Sequence, residues 1–214
     1  NILLIKDFVK EYHPEVLRLF FLATHYRNPI DYNEKSIEDM NNALHRLYYT
    51  IRRVSEVEKI ETVEPEVYGE AEELEKLFYE AMDDDFNTAL ALSYVFELSK
   101  MLNKLLDEES PANRPFIAYA YRLFTSLARM LGMLSNDLLT FSSTEKTRHL
   151  KRVGLTPEVL EKMIEERTQA RKNKDYARAD EIRETLAGKG IGLLDSPKGT
   201  EWRVKNLATT KGEP

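Results

Sequence analysis

Six side chains in the last quarter of the chain combine the chemistry needed to hold a single-stranded polynucleotide. Between residues 170 and 204 stand Arg171, Tyr176, Asp180, Arg183, Asp195 and Trp202, interleaved with Lys172, Lys174, Arg178 and Arg203. Guanidinium and ammonium groups attract phosphate. Carboxylates accept hydrogen bonds from base edges, and Tyr and Trp offer faces for an unstacked base. Each feature also has a plainer reading. Asp180 and Arg183 stand three apart on an expected helix, where an ion pair contributes a few tenths of a kcal/mol. Trp202 suits the core of a small hairpin equally well.

Charge is distributed in the same sense. The 214 residues carry a net charge of −6, which argues against a general nucleic-acid binder. Residues 151–214, however, hold 14 Lys and Arg against 11 Asp and Glu, while the preceding 150 hold 17 against 26. A basic end on an acidic body points to a local anion-binding surface. There is no cysteine, which removes disulfides, thiolate metal sites and cysteine nucleophiles from consideration. No apolar run approaches the roughly 18–20 residues of a membrane span. The opening residues lack a basic n-region and an initiator Met, so they do not form a signal peptide, and they read as a cut through a longer chain.

The elements that must position these side chains are mostly helices. Apolar residues at 5, 8, 9 and 12 predict a short helix, and Pro14 opens a second with Val16, Leu17, Phe20 and Phe21 on its apolar face. Residues 24–33 read as an extended loop, broken by Pro29. A long helix is expected from Ser36, with Ser36 and Asp39 as a weak capping box, through Ile37, Met40, Leu44, Leu47, Ile51 and Val54. Residues 56–75 read as an acidic linker, followed by helices over 71–82, from about residue 88 to 105, and over 115–134. Residues 135–155 are polar, with Ser142, Ser143 and Thr144 at their centre, and read as a linker. Thr156-Pro157 starts another helix as N-cap and first turn. A further helix begins at Asp175 and stops at Gly188 and Gly190. Two short strands around a Ser-Pro-Lys-Gly turn complete a hairpin.

Other reactive residues give no catalytic constellation. His13, His25, His45 and His149 are not at metal-ligand spacing. No glycine-rich phosphate loop and no nucleophile elbow occurs. Asp83, Asp84 and Asp85 suit either a divalent cation or helix capping, with Asp85 and Asn87 as N-cap candidates and capping preferred. Arg18 sits among apolar neighbours, where it is either a solvated charge or an arginine held at a domain contact, able to pair with a carboxylate or phosphate. His25, Tyr26 and Arg27 suit a domain interface or an RNA stem.

Several of these stretches together resemble the C-terminal half of cysteinyl-tRNA synthetase, a class I aminoacyl-tRNA synthetase. The carriers are Asp7 to Tyr12, Pro14-Glu15-Val16-Leu17-Arg18, His25-Tyr26-Arg27-Asn28-Pro29 and Met82-Asp83-Asp84-Asp85-Phe86-Asn87-Thr88. The final module is a further carrier, from Ala170-Arg171-Lys172 through Ala179-Asp180, Ile182-Arg183 and Leu194-Asp195-Ser196-Pro197 to Gly199-Thr200-Glu201-Trp202-Arg203, and the combination is highly specific. The resemblance implies an upstream catalytic domain that uses ATP and zinc to join cysteine to tRNA(Cys), with neither cofactor held by this chain. It implies that Arg171, Asp180, Arg183 and Asp195 read a GCA anticodon, with Tyr176 and Trp202 as aromatic partners. The family often has Trp where this chain has Tyr176. Lys172, Lys174, Arg178 and Arg203 would meet the tRNA backbone. A stacked base contributes about 1–3 kcal/mol.

The expected architecture is mainly α: an antiparallel helical bundle followed by a small α+β domain of two helices and a short β-hairpin. Expected boundaries are a stem-contact segment at 1–33, the bundle at 34–140, a linker at 141–155, an anticodon-binding domain at 156–205 and a disordered tail at 206–214. The functional expectation is a tRNA-binding part of a cytoplasmic, monomeric ligase, inactive alone, whose partners are tRNA(Cys) and the catalytic domain of the same polypeptide, with no membrane. The competing readings are a helical protein-interaction module and part of a cysteine ligase acting on an amino-sugar. The intact 170–204 module speaks against the latter.

Overall fold

The computed structural model describes residues 4–57, 69–108, 110–196 and 199–204. Among these are the helices α1 (Ile5–Glu11), α2 (Pro14–Leu22), α3 (Glu34–Ser55), α4 (Gly69–Asp83), α5 (Thr88–Asp107), α6 (Arg114–Met130), α7 (Leu138–Arg152), α8 (Pro157–Lys172) and α9 (Tyr176–Gly188). Strands β1 (Ile191–Ser196) and β2 (Gly199–Val204) follow. The architecture is the expected one, a mainly helical bundle and a small hairpin. Most of the expected 56–75 linker, Pro197 and Lys198 of the hairpin turn, and the tail from 206 lie outside the described residues.

Contacts divide the chain into two units. One is Tyr12–Leu138 and the other joins Asn1–Glu11 to Leu139–Pro214. The first, the bundle unit, begins well before the expected boundary at 33/34, because α2 is hydrogen-bonded to residues that follow α6. Glu15, buried at 2% exposure, accepts from the backbone N–H of Leu134 at 3.0 Å and of Ser135 at 2.8 Å. It also accepts from the Ser135 hydroxyl and from the Tyr48 phenol at 3.4 Å. His13 Nε2 meets the Asn136 amide at 2.9 Å. The Arg18 guanidinium donates to the carbonyl of Gly132, a backbone partner within the bundle unit. Burial first, and the Glu15 charge second, push the Tyr48 phenol well above its ordinary pKa.

Within the bundle unit, α5 is central. It packs against α3, α4 and α6, while α2 packs on α3. Phe78, Leu98, Leu102, Phe124 and Leu127 are fully buried, at the 3- and 4-residue steps of amphipathic helices. One polar network sits inside this core. Thr50 and Ser99 hydroxyls lie 2.7 Å apart, and Asn103 donates to Thr50 Oγ1 at 2.7 Å. Since buried polar groups need these partners, the network fixes the register of α3 on α5.

The helix starts show which side chain wins a cap. Helix α3 begins two residues before Ser36, because Asn33 Oδ1 takes the Ser36 N–H at 2.8 Å and its hydroxyl at 3.0 Å. Asn87 caps α5 by accepting from Leu90 N at 3.1 Å. Asp85, the other capping candidate, has φ 54° and turns its carboxylate elsewhere.

The second, hairpin unit holds a correction. The expected linker at 141–155 lies mostly within helix α7. Its serine and threonine run reads as loop, but Ser143 and Thr147 hydroxyls bond back to the carbonyls of Thr140 and Ser143 at 3.0 Å each, which is compatible with helix. Phe141, His149 and Leu150 are buried. The His149 Nε2 proton is donated to the carbonyl of Lys189 at 2.7 Å, just past the end of α9. Leu150, Leu160, Ile182, Leu186 and Ile191 form the core, with Met163, Ile164, Leu193 and Trp202 packed against it.

Candidate nucleic-acid interface

Helix α8 presents Leu160, Met163, Ile164 and then Arg167 and Arg171 along one stripe. Its first half is core. Past the core the stripe continues, and so does the inward face of the hairpin, where the register pairs Ile191 with Val204, Leu193 with Trp202 and Asp195 with Thr200. Because strand side chains alternate faces, Ile191, Leu193 and Asp195 point the same way. Apolar pairs therefore give way to a charged pair where the two elements leave the core.

Arg167, only 7% exposed, donates to both oxygens of Asp195 at 2.9 and 2.8 Å. Arg171 donates to Asp195 Oδ2 at 2.5 Å. The Thr200 hydroxyl donates to Oδ1 at 2.8 Å. A carboxylate has about four acceptor positions, and all four are filled. The Arg167 bond, followed by Thr200 and the positive charges of Arg167 and Arg171, holds the Asp195 carboxyl well below the usual carboxylate range against the opposing effect of burial. Asp195 is thus saturated, and a base edge would have to displace one of its donors. Arg167 and Asp195 themselves, with Thr168, Arg171, Lys172, Ser196, Gly199 and Thr200, line a groove of about 420 Å³. Bonding to Asp195 uses one N–H of Arg171. The rest of that guanidinium and the Lys172 ammonium have no other side-chain partner among the described residues.

Helix α9 supplies a second surface. Asp175 caps it by accepting from Arg178 N at 3.1 Å. Ala179, Ile182 and Leu186 are buried, and Tyr176, Asp180 and Arg183 form an exposed stripe at 4- and 3-residue steps beside them. Tyr176 is 61% exposed. Among the described residues Asp180 and Arg183 do not pair with each other. Asp180 is close enough to act electrostatically on Arg167, which sets this stripe beside the groove. Lys174 precedes it at φ 61°, exposed, in the turn where Asp175 N bonds back to Ala170 O at 2.9 Å.

Two of the expected contacts are engaged in other ways. Arg178 binds Glu166 at 2.7 and 2.9 Å and Glu181 at 2.7 Å, so it clamps α9 to α8. Trp202 is half-buried against the core, with Lys146 Nζ 5.0 Å from its ring centre. It acts as hairpin core with a cation over one face. Arg203, also half-buried, follows it on the opposite face of β2. The sequence reading missed Arg167. Its signal was the four-residue step to Arg171 on the apolar stripe of α8.

In the bundle unit, His25, Tyr26 and Arg27 gather on Asp85. Tyr26 donates to its Oδ1 at 2.8 Å, and Arg27 reaches both oxygens at 2.8 and 3.0 Å. His25 stacks on Tyr26 with ring centres 4.9 Å apart. This ties the 24–33 loop to the turn between α4 and α5. No group of three or more His, Cys, Asp or Glu among the described residues is arranged to hold a metal ion. No helix among them is long and apolar enough to cross a membrane.

Comparison with known proteins agrees with this geometry. Residues 153–203, which contain the groove and the α9 stripe, match the cysteinyl-tRNA ligase anticodon binding domain. Residues 77–135 match the DALR domain, and residues 1–42 match the class I (C) tRNA synthetase catalytic domain. Cysteine–tRNA ligases of Geobacter metallireducens, Syntrophotalea carbinolica and Geobacter sulfurreducens are 39%, 40% and 38% identical over 213, 211 and 210 residues. Each alignment covers 96% of this chain and 44% of the relative, so the chain spans less than half the length of these proteins. By these matches the chain is similar over nearly its whole length to part of the cysteine–tRNA ligases.

Proposed function

We propose that the chain binds tRNA(Cys) and reads its GCA anticodon through the 156–205 module, in support of ATP-dependent cysteinylation by a catalytic domain of the same polypeptide. The observation that carries this reading is the basic groove of Arg171 and Lys172 beside the exposed Tyr176, Asp180 and Arg183 stripe. Tyr176 supplies a ring for stacking and Asp180 an unpaired carboxylate for donor edges. Arg183 and Lys174 supply charge for bases and phosphates. His25, Tyr26 and Arg27, already joined to Asp85, serve to brace the bundle from within the segment that matches the catalytic domain. The donor set does not fit the family's zinc: the chain has no cysteine and no described cluster of ligands. ATP and zinc chemistry therefore belong to the catalytic domain, which acts with this chain as a cytoplasmic monomer.

The test is titration with tRNA(Cys) and with the same tRNA carrying a changed anticodon. Binding should be salt-sensitive, and weaker for the changed anticodon by on the order of tenfold or more, given about 1–3 kcal/mol for a well-made polar base contact. Equal affinity for both tRNAs would remove the anticodon reading.

A further inference from the structure

The saturation of Asp195 changes what the groove can recognise. We infer that Arg167 and Asp195 are positioning residues, that Arg171 touches the ligand, and that the groove takes an acceptor edge: guanine O6 and N7, cytosine O2 and N3, or a phosphate oxygen. This rests on the RNA-binding reading above. Arg167 also lines the groove, but it is anchored on the apolar stripe of α8, its side chain is almost wholly buried, and both its terminal nitrogens are already committed to Asp195. Its two bonds fix the plane of the Asp195 carboxylate. Thr200 takes one of the two acceptor positions left over. The other orients Arg171, whose guanidinium is half exposed at the groove. A buried arginine thereby aims an exposed one through a shared carboxylate. A planar guanidinium held in this way is suited to paired acceptors, which a flexible ammonium is not. Asp195 has no lone pair to spare for an exocyclic amine or an imino N–H. Donor edges must be met by Asp180 on the neighbouring helix.

The test compares Arg167→Met, Arg167→Lys and Asp195→Asn with the parent chain, each checked for folding by far-UV circular dichroism. Two readouts are needed. The first requires no RNA: nitrogen relaxation at the Arg171 Nε–H should show an ordered guanidinium in the parent and a mobile one in all three variants. The second is titration with a GCA anticodon stem-loop. Affinity should fall on the order of tenfold in Arg167→Met and Asp195→Asn, and the double variant should be no weaker than either alone, since both act through Arg171. Lys at 167 should not restore it, because an ammonium cannot grip both carboxylate oxygens.

The two sources of acceptor separate in the same experiment. A base edge predicts that Arg171→Met weakens the GCA loop more than a changed loop and leaves the salt slope alone. A phosphate predicts equal weakening of both loops and a slope smaller by about one. The inference is overturned if Arg171 stays ordered in Arg167→Met, or if that variant discriminates anticodons like the parent while Asp195→Asn does not. A parent chain that binds all loops equally would instead count against the anticodon reading, leaving the relaxation result to judge the positioning network.

Discussion

Replacing Glu15 with Gln tests the bond that joins the two ends of the bundle unit. The carboxylate accepts from two backbone N–H groups, one hydroxyl and one phenol. A Gln amide keeps one oxygen but turns an NH2 toward donors. At least one backbone N–H is then left buried without an acceptor, costing about 1–3 kcal/mol. The remaining bonds lose their charge assistance, which roughly halves their strength. Together these give a loss of about 3 kcal/mol, and for a unit of this size about 10 °C in Tm. Leu134 adds to the effect, since it is held at φ 55° by the same carboxylate. The assay is urea or thermal unfolding followed in two ways. Far-UV circular dichroism is dominated by the bundle helices. The single tryptophan, Trp202, reports the hairpin unit. The dichroism transition should move and the fluorescence transition should move much less. A loss below about 1 kcal/mol would refute the claim that Glu15 is the principal tie, as would a change confined to fluorescence.

Three further outcomes are expected. Gly132→Ala should destabilise the bundle unit by about 1–2 kcal/mol in the same assay, because φ is +71° and a Cβ would lie 3.0 Å from the Arg18 guanidinium. Lys174→Gly should stabilise α8 by about 1 kcal/mol, since Lys174 occupies the left-handed position that favours glycine after a helix, yet it should weaken tRNA binding to every anticodon alike. The hairpin unit should resist acid. The folded-state pKa of Asp195 lies below its unfolded value, so its contribution is complete above about pH 4. That contribution is lost only as pH falls through the depressed value. A fluorescence-monitored acid titration in which Asp195→Asn unfolds at the same pH as the parent would contradict this.

The helices of the bundle were legible because long apolar stripes such as Leu44, Leu47 and Val54, or Leu98, Leu102 and Leu105, leave little choice of period. Capping was legible where one residue had no rival, as at Thr156, and not at Ser36, where an asparagine three residues earlier took both of its donors. Helix α7 was hidden because its few buried residues, Phe141, His149 and Leu150, are too widely spaced to outweigh a serine and threonine run. Arg171 and Asp195, both singled out in the sequence, meet in one hydrogen-bonded cluster. What the sequence could not convey is that Asp195 is already fully bonded, because that depends on Arg167 arriving from another element, 28 residues away in sequence. Likewise Arg178 resembles its free neighbours in sequence, and only the approach of Glu166 distinguishes it.

The bonds from His13, Glu15 and Arg18 span 123, 119–120 and 114 residues and bring the first and last parts of the bundle unit side by side. Chain direction is therefore nearly redundant in this unit. A circular permutant that links residue 138 to residue 12 and opens the chain between α5 and α6, around Pro111–Asn113, should keep the same core. It should not fold faster, because opening the chain there turns the packing of α5 against α6, local in the natural order, into a long-range contact. Joined in the natural order, the two ends enter and leave at one place, the connectivity of a module inserted into a host chain.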